Sequence, residues 1–379
     1  MEHRLECGRD GIFKIIQVSD LQEPYFCSPI VREFLYDLAE KERPGLFVLT
    51  GDNTSSKEAD WKIDSVSKHW VKTGIDGYMR VFDRIYDDFG TPVTMVYGNH
   101  DCEAPFTSRA EQFAVYQSHR SFIGFLTGAD KGARDDLGEY LGTHSLLVYG
   151  SSGKPAFHLW MFDSGHGESG VQKPQLDWFR KVNEETGKLP SLAFQHIVVP
   201  EIYDFLTQTD EHDSSAFRRM FADENGAEHT KYISRDLPEG VKGAMREAPC
   251  APKHNNGQYG TLNGAGNVLA LFFGHDHKNT FELRRENAMD LVNSPGSSFG
   301  QYGDLDLRGV RVITLDEKNP GRYETCLLTY LDFYSGSRLR GTRLRLYQRR
   351  RNLAYVADML FFHPLLWVTG LPTGRPVDK

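Results

Sequence analysis

Short apolar runs rich in β-branched and aromatic residues recur along this chain, and each stops on a polar tag where a strand should end. Residues 12–18 stop at Ser19-Asp20-Leu21-Gln22, residues 46–49 at Thr50-Gly51-Asp52-Asn53, and residues 92–96 at Tyr97-Gly98-Asn99-His100-Asp101. Further along, residues 191–194 run into Gln195-His196 and residues 268–273 into Gly274-His275-Asp276-His277. Runs this short and this apolar read as buried strands. Segments with helical spacing lie between them, at residues 31–40, 59–72, 78–88, 109–120 and 174–182. The alternation predicts an α/β fold that delivers its polar tags to strand ends, the usual place for a site in such folds.

A hairpin-like pair at residues 145–149 and 156–162 predicts the start of a second sheet, and its second strand ends at Asp163-Ser164-Gly165-His166. Asp163 and His166 are therefore candidate substrate contacts, weighed against an ordinary turn that bonds its own backbone. Residues 204–267 turn polar and Gly-rich with little periodicity, which predicts a lid or substrate-shaping insertion containing some helix. Seven arginines fall within residues 338–351, ahead of an apolar stretch at 353–368. The Arg-Leu-Arg alternation there predicts an edge strand with a solvated face and then a helix packed on the body. A membrane-surface element is the competing reading. The expected organisation is one catalytic domain over residues 1–335, with the insertion at about 204–267, and an Arg-rich extension over 336–379 packed on it.

Lys and Arg number 44 against 52 Asp and Glu, a net charge of −8, which argues against nucleic acid as the main partner. No apolar run reaches the ~20 residues needed to span a bilayer. Five scattered cysteines fit reduced thiols better than a disulfide framework, so the expected location is cytoplasmic. A trimmed secretory signal would leave the same sequence, and the oligomeric state is not legible.

The strand ends together hold Asp20, Asp52, Asn99, His196, His275 and His277, which is a metal-ligand inventory. Mixed oxygen and nitrogen donors suit Mn²⁺, Fe or Zn²⁺, and no cysteine pair has the spacing of a structural zinc site. Six such ligands with one bridging carboxylate are what a two-metal centre needs. The turn that supplies Asn99 also holds His100, an imidazole for a leaving group, and Asp101, a carboxylate to orient it.

Ser19-Asp20-Leu21-Gln22, Thr50-Gly51-Asp52-Asn53, Gly98-Asn99-His100-Asp101, Gln195-His196 and Gly274-His275-Asp276-His277 resemble, in order, the five motifs of the calcineurin-like metallophosphoesterases. The segments at 170–178, 200–203 and 300–312 are similar to its purple-acid-phosphatase-like branch, found in plants and fungi. The resemblance implies a four-layer α/β/β/α sandwich. It places Asp20, Asp52 and His277 on one metal, with Asp52 bridging to a second held by Asn99, His196 and His275. It further implies hydrolysis of a small-molecule or protein phosphate ester by metal-bound hydroxide, His100 assisting the leaving group under orientation by Asp101. Two positions depart from the family. Gln22 stands where the first motif usually has histidine, leaving open a weak amide donor or no ligand there. Ser55 stands where purple acid phosphatases have their tyrosinate, so a colourless enzyme is expected. A non-catalytic scaffold and a nuclease are the alternative functions.

Overall fold

The computed structural model describes residues 4–23, 27–54, 64–103, 107–124, 140–165, 170–223 and 225–357. In chain order its strands are β1 (Leu5–Glu6), β2 (Ile12–Val18), β3 (Leu46–Thr50), β4 (Val93–Val96), β5 (His144–Tyr149), β6 (Pro155–Met161), β7 (Ser191–Phe194), β8 (Gln208–Thr209), β9 (Phe217–Ala222), β10 (Glu228–Ile233), β11 (Val268–Phe273), β12 (Glu282–Leu283), β13 (Asp290–Asn293), β14 (Gly309–Asp316) and β15 (Tyr323–Thr329). The helices are α1 (Pro29–Glu42), α2 (Asp64–Phe89), α3 (Arg109–Ser118), α4 (Lys173–Glu185), α5 (Ile202–Phe205), α6 (Gln258–Ala265), α7 (Tyr330–Phe333) and α8 (Arg338–Ala357).

Strand parity sorts the core into layers. In β2, β3 and β11 alternate residues (Phe13 and Ile15; Leu46 and Val48; Ala270 and Phe272) face a central core. Their neighbours in β2 and β3 (Ile16 and Val18; Phe47 and Leu49) pack with Phe34 of α1 and Phe82 of α2. Those in β11 (Leu271 and Phe273) pack with Leu176 and Phe179 of α4 and Leu262 of α6. Burial on both faces is why these strands read as continuous apolar runs.

The central core lies between a five-stranded sheet, order β15-β14-β2-β3-β4, and a seven-stranded sheet, order β1-β5-β6-β7-β11-β13-β12. Strands β2, β3 and β4 run parallel, as do β6, β7, β11 and β13. Helices cover both outer faces, giving the four α/β/β/α layers. Among the described residues no helix is long and apolar enough to cross a membrane.

Two expectations are corrected, and the insertion, which has its expected helix, gains a sheet. From residue 64 on, the two helices expected at 59–72 and 78–88 are the single helix α2, whose glycines are carried through because Val71, Ile75 and Tyr78 are buried in the core, and residues 59–63 lie outside the described residues. Packing thereby overrides a propensity cost of about 1 kcal/mol per glycine. The polar insertion holds a small antiparallel sheet, β8-β10-β9, and α6. Its strands look aperiodic because most of their residues are exposed or half-buried. The Arg-rich tail forms helix α8 rather than an edge strand. Arg340 and Arg343 turn inward onto α1, Arg343 bonding both oxygens of Glu33 (2.5 and 3.0 Å) and Arg340 reaching Asp37 at 3.0 Å. Of the apolar stretch 353–368, the residues beyond 357 lie outside the described residues, as does Ser55.

Candidate metal centre

The polar tags meet where the C-terminal ends of β2, β3 and β4 approach those of β7 and β11. Four tag residues adopt left-handed backbone conformations, Asp20 (φ 52°), Gln22 (φ 39°), Asp52 (φ 49°) and His275 (φ 69°). Non-glycine residues seldom adopt this region, and each costs of order 1 kcal/mol or more, so strain is concentrated where the ligands cluster. The loops are laced together: Gln22 N donates to Asp52 O (2.9 Å) and His100 N to Asp52 Oδ1 (2.8 Å). Gly98 is required by close approach, since a Cβ there would collide with Asp52.

Two sets of ligand atoms converge and share one residue: Asp20, Asp52 and His277 in one, Asp52, His196 and His275 in the other. In the first, His277 Nε2 lies 3.2 Å from Asp20 Oδ1. In the second, His196 Nε2 lies 3.3 Å from Asp52 Oδ2, 3.2 Å from His275 Nδ1 and 3.1 Å from Asn99 Oδ1. The amide of Asn99 therefore completes the second set.

Orientation of the imidazoles decides what this arrangement can hold. His196 Nδ1 donates to the Thr50 carbonyl (2.9 Å) and His277 Nδ1 to the Tyr302 carbonyl (3.0 Å). In each neutral ring that leaves the Nε2 lone pair aimed at carboxylate or amide oxygen. Acceptors facing acceptors at this distance require a cation or a proton between them. A ligand histidine whose other nitrogen is tied to a carbonyl is the usual second layer of a metal site. Gln22 Oε1 is buried with no hydrogen-bond donor, further unspent acceptor capacity at this spot.

The ionisation pattern reports the same demand for positive charge. Burial opposes charge on His196, but the Asp52 and Asp20 carboxylates raise it to about 10. Burial likewise opposes charge on His277, which Asp20 raises above its ordinary value. Burial opposes ionisation of Asp52 and Asp20 too, yet His196 and His277 hold their carboxyls below the usual range. His275, pushed down to about 4 by burial and then by the charge on His196, stays neutral. Protons thus balance the two carboxylates, and divalent cations would replace them. The donor set of carboxylate, amide and imidazole fits such ions.

His100 opens a short 3₁₀ turn, His100–Cys102, and is half-buried, as are Asn99 and His275. Its Nδ1 lies 2.8 Å from Glu103 Oε2 and its Nε2 3.9 Å from Asp52 Oδ2. The expected orienting role of Asp101 is therefore corrected. Asp101 is fully buried, and its oxygens accept from the backbone N–H groups of Asn53 (2.9 Å), Thr54 (3.0 Å) and Gly98 (2.8 Å). It ties the second tag to the third, and burial raises its carboxyl to about 7. Glu103 escaped the sequence reading, although its spacing three residues after His100 was a usable signal.

Gln22 turns its amide N–H toward Asp52 Oδ2 (2.9 Å). Asp163 lies buried, its carboxylate paired with Arg109 and accepting from Gly165 N (3.0 Å). His166 lies outside the described residues.

Two sheets joined by paired ligand sets that share an aspartate define a dinuclear metallophosphoesterase architecture. The chain belongs to the calcineurin-like phosphoesterase family, whose description matches residues 13–279. Over 366 residues it is 23% identical to probable inactive purple acid phosphatase 29 of Arabidopsis thaliana, spanning 84% of this chain and 81% of that protein. Probable inactive purple acid phosphatase 28 of the same plant is 25% identical over 312 residues, spanning 72% of this chain and 67% of its own length. Among solved structures, a dimetal phosphatase from Danio rerio aligns with a TM-score of 0.45 at 14% identity, spanning 84% of this chain and 99% of that one.

Proposed function

We propose that the protein is a metal-dependent hydrolase of phosphate esters. Asp20, Asp52 and His277 would hold one divalent ion, and Asp52, Asn99, His196 and His275 a second. The observation that carries the proposal is the pair of imidazoles, His196 and His277, whose Nε2 lone pairs are aimed at buried acceptors by carbonyls behind them. When bound, the two ions supply Lewis-acid charge against the phosphoryl oxygens and lower the pKa of a water.

The chain's own groups supply the rest. Thr50 and Tyr302 fix the two imidazoles by their carbonyls, and Asp101 sets the Asp52 and Asn99 loops against each other. Glu103 accepts from His100 Nδ1, so a protonated His100 turns Nε2–H toward the cleft as the proton source for a departing alkoxide. Gln22 binds Asp52 through its N–H face, and its buried oxygen is available as an amide donor to the first ion once the side chain turns.

A second reading is a non-catalytic scaffold. It is favoured by the Gln22 amide resting on Asp52, and the two Arabidopsis relatives carry "probable inactive" in their names. A panel of chromogenic mono- and diesters with Mn²⁺, Fe²⁺, Zn²⁺ and Mg²⁺, with bound metal measured in parallel, separates the two. Turnover that tracks metal content supports the hydrolase. Full metal occupancy with no turnover of any ester would sink it.

A further inference from the structure

We propose that Tyr302 is the docking surface for a planar aromatic group carried by the phosphate ester, an assignment that rests on the hydrolase reading above. Among the described residues the large apolar side chains left exposed are Met220, on the small insertion sheet, and Tyr302, each at 54%. Tyr302 lies against the metal centre. Its ring is parallel to that of His277, with centroids 4.3 Å apart and planes 14° from parallel, and its carbonyl accepts from His277 Nδ1. One ring face is thus covered by His277, while the residue as a whole stays 54% exposed.

Exposure of a single aromatic argues nothing by itself. Here the backbone around the ring is braced from three directions. Arg308 donates to the Ser298 carbonyl and to that of Gln301 (2.5 Å), Gln348 of α8 donates to the Gly303 carbonyl (2.7 Å), and the Tyr302 carbonyl is held by His277. Arg308 Nε bonds Gln348 Oε1 (3.0 Å), which closes the brace. A ring fixed in place loses little freedom when a second ring stacks on it, so more of the stacking energy appears as affinity. Lys278 Nζ lies over the ring, 6.0 Å from its centroid, a cation at the platform that suits an aromatic group attached to a phosphoryl anion.

The test uses the metal-loaded chain as wild type, Tyr302→Ala and Tyr302→Phe. It measures bound metal, equilibrium affinity for phenylphosphonate and methylphosphonate, and KM and kcat for an aryl and an alkyl phosphate ester. Loss of the stacking ring in Tyr302→Ala should weaken phenylphosphonate and raise the aryl KM by about 5- to 150-fold. The preference for phenylphosphonate over methylphosphonate, and for the aryl over the alkyl ester in KM, should fall by that factor in Tyr302→Ala and be retained in Tyr302→Phe. Equal weakening of both phosphonates, no change in either, or loss of metal from Tyr302→Ala would each overturn the proposal, the last by showing that the ring only braces His277. Failure of the hydrolase reading is seen separately, as no ester turned over by wild type, while the phosphonate affinities still test Tyr302.

Discussion

His100 is where chemistry and architecture separate at the scale of one residue. Its backbone N–H is spent on Asp52 Oδ1, and its ring is turned by Glu103 rather than by the ligands themselves. Removing the ring should therefore leave the metal sets intact. We expect His100→Ala to retain metal while kcat falls by about 10²–10⁴, the ordinary worth of a positioned proton donor. Metal analysis beside turnover checks this, and undiminished turnover in the variant would take the leaving-group role away from His100. The candidate ligands were legible in the sequence because each closes an apolar strand, so chain position alone fixes which edge it occupies. Asp101 was misassigned for a local reason. In the 3₁₀ turn neighbouring side chains diverge by about 120°, so the residue next to His100 points into the core while the one three places on returns to its side.

Helix α8 shows, at the scale of an element, how a correct pattern was missed by counting arginine as surface. Arg340, Arg343, Leu344 and Tyr347 recur at helical spacing, and all four are buried. Their partners on α1, Glu33 and Asp37, are one helical turn apart, so two turns of α8 lie in register against α1 through ion pairs. A buried pair adds little over an apolar pair of equal volume, but breaking it strands a charge in the core. Arg343→Ala should destabilise the fold by roughly 3–5 kcal/mol, whereas Glu33→Leu combined with Arg343→Met should recover most of that loss. Urea denaturation midpoints of the three proteins decide it. A single substitution as mild as the double one would mean that the pair is solvated in solution. The polar insertion was readable as an irregular region but not as a sheet, because strands exposed on one face lack the apolar run that marks β2, β3 and β11.

Across the whole molecule the candidate metal centre is the place where the polar ends of the two sheets meet. The five-stranded sheet contributes Asp20, Asp52 and Asn99, and the seven-stranded sheet contributes His196, His275 and His277. Elsewhere the sheets meet mainly through apolar packing, Phe13, Ile15 and Val48 against Leu159, Phe194 and Phe272. Ions held between them bind only the assembled fold, so they should stabilise it by mass action, about 2.7 kcal/mol at a free concentration one hundred times Kd. For a chain of this length that is a rise of a few degrees in Tm, growing with the logarithm of metal concentration. A chelator should remove the increment and Mn²⁺ should restore it. Because Asp52 belongs to both sets, Asp52→Ala should abolish the metal-dependent shift rather than halve it, while Gln22→Ala should leave most of it in place. The net charge of −8 supplies the competing explanation, weak binding of divalent ions to surface carboxylates. A Tm shift of equal size in Asp52→Ala would establish that explanation and remove the dinuclear centre as the link between the sheets.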